Sequence, residues 1–278
     1  MKHGFLATAL GAALGLAGCV DGNFGQAFHE SVDVSKSLSP TGRFSLQNTN
    51  GSVRVAAWDE PRVRIEAVKA AGSERALRDL EVAVEGEGDR VEVRTRMPRG
   101  HWFGRGGKVD YTITVPRGAS VSVRNVNGRV EIQDVNGAVR AENVNGSLDA
   151  SDLGGAVEAS TVNGSVEVRM ARVDPSSRNR IRTTNGSVRV TLPRDTAADV
   201  EATTVNGAVH CDFDLDGHAS RRKIEGRIGG GGARFELQPV NGTAKIDRGL
   251  SPRATASAAP PTKPQSRPEA EATPAGAK

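Results

Sequence analysis

Residues Asn125–Arg169 read NVNGRVEIQ DVNGAVRAE NVNGSLDAS DLGGAVEAS TVNGSVEVR, five nonapeptides in direct succession. Each places an apolar residue (Val126, Val135, Val144, Leu153, Val162) before a turn pair: Asn127-Gly128, Asn136-Gly137, Asn145-Gly146, Gly154-Gly155 and Asn163-Gly164. Two further apolar or small residues follow, as in Val130 and Ile132. Asn and Gly tolerate positive φ, so each pair can turn the chain sharply.

An Asn-Gly pair between apolar runs is ordinarily a hairpin signal, and a row of them suggests a flat antiparallel meander. Register argues against it. In such a hairpin Val126 faces Arg129 and Asn125 faces Val130, and every later turn repeats apolar against polar on one face. Corners between short strands allow the change of parity that the nine-residue step requires. The sequence therefore predicts an all-β chain with a single elongated β-solenoid, each nonapeptide forming half of a coil of about 18 residues. Coils stacked ~4.8 Å apart align Asn127, Asn145 and Asn163 at one corner, where their amides can bond from coil to coil. They also line Glu131, Asp149 and Glu167 in one outward column, a repulsion that Arg129, Arg169 or a bound cation would offset.

Related punctuation recurs at Asn50-Gly51, Asn185-Gly186, Asn206-Gly207 and Asn241-Gly242, with spacings near multiples of a turn of about 20 residues. The solenoid is expected over residues 40–249. Val63-Arg64-Ile65, Leu80–Val84 and Val91-Glu92-Val93 alternate as half-buried strands. Ser73 is a candidate cap for a short helix, Glu74–Asp79. Val109, Tyr111, Ile113 and Val115 resume period two after a glycine-rich segment that carries His101-Trp102-Phe103.

Residues 1–18 have the form of a lipoprotein signal peptide: Lys2 and His3, an apolar stretch Phe5–Leu14, then Leu16-Ala17-Gly18-Cys19. The last four resemble the bacterial lipobox, which implies diacylglycerol on Cys19 and membrane anchoring through several acyl chains. The apolar stretch is too short to remain as a spanning helix. Val20 rather than an acidic residue follows Cys19, which favours the outer membrane in an organism with two membranes. Residues 19–39 are expected as a tether with a first strand near its end, and 250–278, rich in Ala and Pro, as a disordered tail.

Composition fits an extracytoplasmic β-protein, with 33 Gly and 4% aromatic residues. The 37 basic and 33 acidic residues are well mixed, and no basic run interleaves with aromatics, so nucleic acid is not expected as a partner. With Cys19 lipidated, Cys211 has no cysteine to pair with.

Candidate chemistry is sparse. Asp212, Asp214 and Asp216 open like an EF-hand loop, but Lys223 stands where the loop needs a bidentate Glu, and alternation explains the segment with Val209, Cys211, Phe213 and Leu215 inward. Asp134 and Asp152 are the candidates for calcium held between coils, although the paired glycines and following Asp of such repeats are missing in nearly every copy. His210 and Cys211 are adjacent on a strand and so point to opposite faces. Gly229–Gly232 has no following Lys-Ser/Thr and reads as a tight turn. Trp102 and Phe103 are candidate contacts to lipid or a sugar ring, or else a cap on the end of the solenoid. No motif calls for a cofactor.

From Phe44 to Ile246 the chain resembles a bacterial family called "putative adhesin", a domain of unknown function. The resemblance rests on Asn50–Val55 (NGSVRV) followed by Trp58-Asp59, Val109–Pro116 (VDYTITVP), the V-N-G-x-V units and the closing stretch Ile224–Ile246 (IEGRIGGGGARFELQPVNGTAKI). It implies an envelope-exposed β-solenoid, often membrane-tethered, without a known catalytic site, and in some relatives a link to envelope-stress signalling. The expected function is a noncatalytic, lipid-anchored envelope protein that binds a glycan or a protein. The alternatives are a periplasm-facing stress or assembly component and a polysaccharide-active β-helix enzyme, for which no spacing marks an acid–base cluster.

Overall fold

The structure, a computed structural model, describes residues 28–96 and 107–249. Its strands form two ladders that face each other across one apolar core. On the first, face A, the spatial order is the N-terminal half of β1 (Phe28–Gln47), β3 (Arg62–Ala71), β5 (Lys108–Pro116), β2 (Val53–Trp58), β7 (Val130–Gln133), β9 (Leu148–Leu153), β11 (Val166–Met170), β13 (Val188–Leu192), β19 (Ala244–Arg248) and β15 (Val209–Cys211). On face B it is β4 (Glu81–Arg96), the C-terminal half of β1, β6 (Ser120–Arg124), β8 (Val139–Glu142), β10 (Val157–Asn163), β12 (Arg178–Asn185), β18 (Ala233–Asn241), β14 (Ala198–Thr203), β17 (Lys223–Ile228) and β16 (Asp216–Ala219).

The repeat strands pair in parallel, as a solenoid requires and a meander forbids. Val130 lies beside Leu148 and Leu148 beside Val166 on face A, while Val121, Val139 and Val157 line up on face B, each one 18-residue coil apart. These columns point inward and are fully buried. Burying each such side chain contributes roughly 1.5–3 kcal/mol, so narrow coils of Val, Leu and Ala hold together without large rings.

Chain order is not stacking order. The first coil, β1 with β2, lies between β4–β5 and β6–β7, and the last, β18 with β19, lies between β12–β13 and β14–β15. Asn206 therefore stacks on Asn241 and not on Asn185, which corrects the even succession that the Asn-Gly spacings suggest. The C-terminal strand β19 and the C-terminal half of β1 are thereby gripped on two sides. Antiparallel strands close the stack: β3 and the start of β1 beyond β5 on face A, β17 and β16 beyond β14 on face B. β1 begins at Phe28, earlier than the residue-40 boundary, because residues 28–37 pair along β3. The single helix among the described residues, α1 (Glu74–Asp79), is capped by Ser73, whose hydroxyl accepts from the Ala76 N–H at 3.2 Å.

The corner glycines are required by proximity as well as by φ. Gly146 has φ 139°, and a Cβ there would lie 2.2 Å from the Gly128 carbonyl oxygen of the coil beside it. At Gly128, Gly164 and Gly186 the same clash, at 2.1 Å, recurs. Gly146→Ala is therefore expected to cost about 3 kcal/mol or more, read as a lowered urea midpoint. Gly72→Ala, where nothing lies within 4 Å, should leave the midpoint unchanged or slightly raised; equal effects would contradict the stacking constraint.

Candidate functional site

The corner that follows face B is built from four positions. The first is polar and buried: Asn48, Asn125, Asn143, Thr161, Thr183 and Thr204. Their side chains reach turn carbonyls of the adjacent coil, as in Asn143 Nδ2 to Gly128 O at 2.8 Å and Thr183 Oγ1 to Gly164 O at 2.8 Å. The second is exposed, with Val126, Val144, Val162, Val240 and Val205 in one column. The third is the asparagine ladder. Asn127 donates to Asn50 at 2.7 Å, Asn145 to Asn127 at 2.8 Å, Asn163 to Asn145 at 2.9 Å and Asn185 to Asn163 at 2.8 Å. Asn241 donates to Asn185 at 2.9 Å and Asn206 to Asn241 at 2.8 Å, which completes it. The fourth is the glycine. Asn136-Gly137 lies at the opposite corner, where Gly137 abuts the Ala119 carbonyl and Gly155 abuts Gly137.

None of the ladder asparagines has positive φ; among the described residues the non-glycine residues that do are Asp134 (61°) and Asp152 (55°) at the other corner. The Asn side chain is used for its amide, which both donates and accepts along the stack.

The faces differ in electrostatics. On face A, Arg54, Glu131, Asp149, Glu167, Arg189 and Lys245 follow one another in a single outward column. The predicted acidic run is there, and arginines neutralise it: Arg54–Glu131 at 2.9 Å, Arg129 at 3.4 Å from Glu131 and 3.8 Å from Asp149, Arg169–Glu167 at 2.7 Å. Face B carries a column Arg90, Arg43, Ser120, Ala138, Ala156, Arg178, Arg234. Ser and Ala make the floor of a depression of about 470 Å³, and arginines stand at its ends. Among the described residues neither Arg43 nor Arg178 has a carboxylate partner, whereas Arg140 on the flank is held by Glu142 and by Glu158 at 2.8 Å. This trough was missed in the sequence because its members belong to six strands and come together only through the stacking register.

Next to it, Glu236 receives Arg180 at 2.9 Å and Arg182 at 3.1 Å. Burial acts to raise its pKa, but the two guanidinium hydrogen bonds outweigh burial and hold the carboxyl below its ordinary value.

The remaining sequence candidates are dispersed. Asp212 faces Lys245 at 3.9 Å, Asp214 faces Arg248 at 3.7 Å and Asp216 pairs with Arg227 at 2.8 Å, so each carboxylate meets a different cation. Among the described residues no three His, Cys, Asp or Glu side chains gather as metal ligands. His210 is exposed while Cys211 is half-buried, and burial pushes the Cys211 thiol up. Gly229–Gly232 forms the turn between β17 and β18, with positive φ throughout. Cys19, Trp102 and Phe103 lie outside the described residues.

No family model matches the chain, and no curated protein matches it. Among solved structures, a "putative cell adhesion protein" from Clostridium sporogenes aligns over 79% of this chain and 100% of its own at 11% identity, with a TM-score of 0.50. A "putative adhesin" from Bacteroides fragilis aligns over 79% and 97% at 13% identity and a TM-score of 0.39. A "putative lipid binding protein" from Parabacteroides distasonis aligns over 80% and 95% at 8% identity and a TM-score of 0.28. At these identities the first likeness shows the fold, and the other two add nothing to the argument.

Glu236 gives a pH test. Its depressed native pKa supplies stability above the unfolded glutamate's pKa, and that stability is lost as pH falls through the native value. Glu236→Gln should lower the urea midpoint at about pH 7, and the gap to wild type should narrow at about pH 3. A gap that stays constant would show that the carboxylate charge contributes nothing.

Proposed function

We propose that this chain is a noncatalytic protein of the cell envelope, anchored by lipid on Cys19 at the outer membrane, whose solenoid presents long sheet faces for adhesion or binding. The observation that carries the reading is the contrast between the faces. Face A neutralises its outward charges internally, while on face B Arg43 and Arg178 have no carboxylate partner among the described residues and stand beside a small-residue floor. A surface charge left uncompensated in a rigid frame is available to a partner.

The name of the Clostridium sporogenes protein, whose fold this chain shares, is consistent with an adhesive role. A rigid stack suits display, because each coil is fixed by its neighbours and the faces cannot rearrange independently. The lipobox-like Leu16-Ala17-Gly18-Cys19 supplies the anchor in this reading.

Cell fractionation tests it. Wild-type chain should sediment with membranes and Cys19→Ser should be recovered in the soluble fraction; a Cys19→Ser chain still in the membrane would overturn the lipid anchor. Protease added to intact cells should digest the solenoid if it faces outward. Protection, with digestion after lysis, would overturn adhesion in favour of a periplasmic assembly or stress-sensing component.

A further inference from the structure

The trough on face B has features that select a ligand. Arg43 lies directly beside Arg90 in register, and Arg178 directly beside Arg234. Like charges on adjacent strands are destabilising. Arg234 is relieved by Glu201 at 3.2 Å and Arg90 in part by Glu92 at 3.6 Å, but Arg43 and Arg178 find no carboxylate among the described residues. Three parallel strands, β6, β8 and β10, separate β1 from β12, so the two unpaired guanidiniums stand about 19 Å apart along the stack. Between them the outward side chains are Ser120, Ala138 and Ala156, and alongside run Ser122, Arg140 and Glu158, the last two paired with each other at 2.8 Å. The Ser45 hydroxyl, in the same lining, is buried without a hydrogen-bond partner.

The spacing excludes a single small anion as the matching occupant, because no such ion reaches both guanidiniums. An extended peptide would need either a free strand edge or pockets for alternate side chains. Every strand of the floor is paired on both sides, and the floor is flat and small. Single-stranded nucleic acid would need exposed rings for stacking, and the only ring in the lining, Phe44, is buried. A bilayer would need large apolar side chains standing proud of the surface, and those of the lining, Phe44, Val121, Val139 and Val157, are buried beneath the floor. What remains is a long, thin, hydroxyl-rich chain carrying anionic groups at intervals.

We propose that the trough binds an acidic polysaccharide. Arg43 and Arg90 hold its carboxylate or sulfate groups at one end and Arg178 holds them at the other, with the sugar backbone laid over Ser120, Ala138 and Ala156. Guanidinium groups suit this task because they form paired hydrogen bonds to planar oxyanions. The proposal deepens the envelope-binding reading, on which it rests only for where such a polymer is met.

The test uses the full chain in detergent and titrates it by calorimetry with polygalacturonate, with polyglutamate as an acidic peptide and dextran as a neutral glycan. Polygalacturonate should bind, more weakly as salt is raised, and dextran should not. Arg43→Gln with Arg178→Gln should weaken binding by roughly tenfold or more, the loss expected for two charge-assisted contacts. Ala138→Phe, which fills the floor and removes no charge, should weaken it as well. Arg54→Gln with Arg189→Gln on face A should leave it unchanged. Because all these side chains face solvent, unfolding can be checked separately by circular dichroism. Equal binding of polyglutamate, equal losses from the face A pair, or no loss from the trough variants would each overturn the proposal. Membrane release of the wild-type chain with polygalacturonate binding intact would overturn the envelope reading and leave the trough standing. Membrane retention with trough variants that bind like wild type would do the reverse.

Discussion

The structure depends on one close approach, in which a corner glycine sits against the carbonyl oxygen of the neighbouring coil's glycine. A side chain at Gly128, Gly146, Gly164 or Gly186 would overlap that oxygen. The approach fixes the coil spacing at that corner, and the spacing brings the asparagine amides within 2.7 to 2.9 Å of each other. The buried Asn and Thr residues one position further in then reach the same turn carbonyls. Carbonyl groups at a crowded bend, which would otherwise be partly shielded from water, are thereby hydrogen-bonded. Each such bond contributes about 1 kcal/mol net, and together they keep the stack in register.

Register converts local sequence into columns, and the columns carry whatever the protein does. Val, Leu and Ala stack inward into one core. On face A the outward acidic run is flanked by arginines that each find a carboxylate. On face B the first outward column has arginines at both ends and small residues between. The same stacking rule therefore yields one face neutralised within itself and one with charge to spare. A rigid scaffold preserves that difference, since relaxing it would require breaking ladders on both sides of a coil.

The repeat itself was legible because the five nonapeptides follow one another without interruption, so the 18-residue step between Asn127, Asn145 and Asn163 could be read directly. The helix cap at Ser73 and the inward set Val109, Tyr111, Ile113 and Val115 were legible because they rest on local chemistry and period two. The insertion of β18–β19 ahead of β14–β15 was not, because spacing along the chain says nothing about order in space once coils cease to be consecutive. The inner polar ladder was hidden for a different reason: Asn125 and Thr161 read as ordinary turn-flanking residues until the neighbouring glycine carbonyl is placed beside them. At the ladder corner the positive φ of each Asn-Gly pair falls on the glycine, as at Gly128, Gly146 and Gly164, and at the other corner Asp134 and Asp152 take it. The arginine trough needs the register of six strands at once, which no linear motif encodes.

The stacking order can be measured by pulsed electron resonance between paired spin labels at the exposed corner column. Thr184 and Val240 flank residues paired on adjacent coils, Thr183 with Pro239 and Asn185 with Asn241, while Val205 precedes Asn206, which stacks beyond Asn241. Labels on 184 and 240 should lie one coil apart, and labels on 184 and 205 two coils apart, a difference of about 5 Å. The shorter distance should therefore belong to the pair that is farther apart in sequence. A shorter distance for 184 and 205 would mean that the coils stack in chain order, and the columns described for both faces beyond β13 and β12 would be wrong.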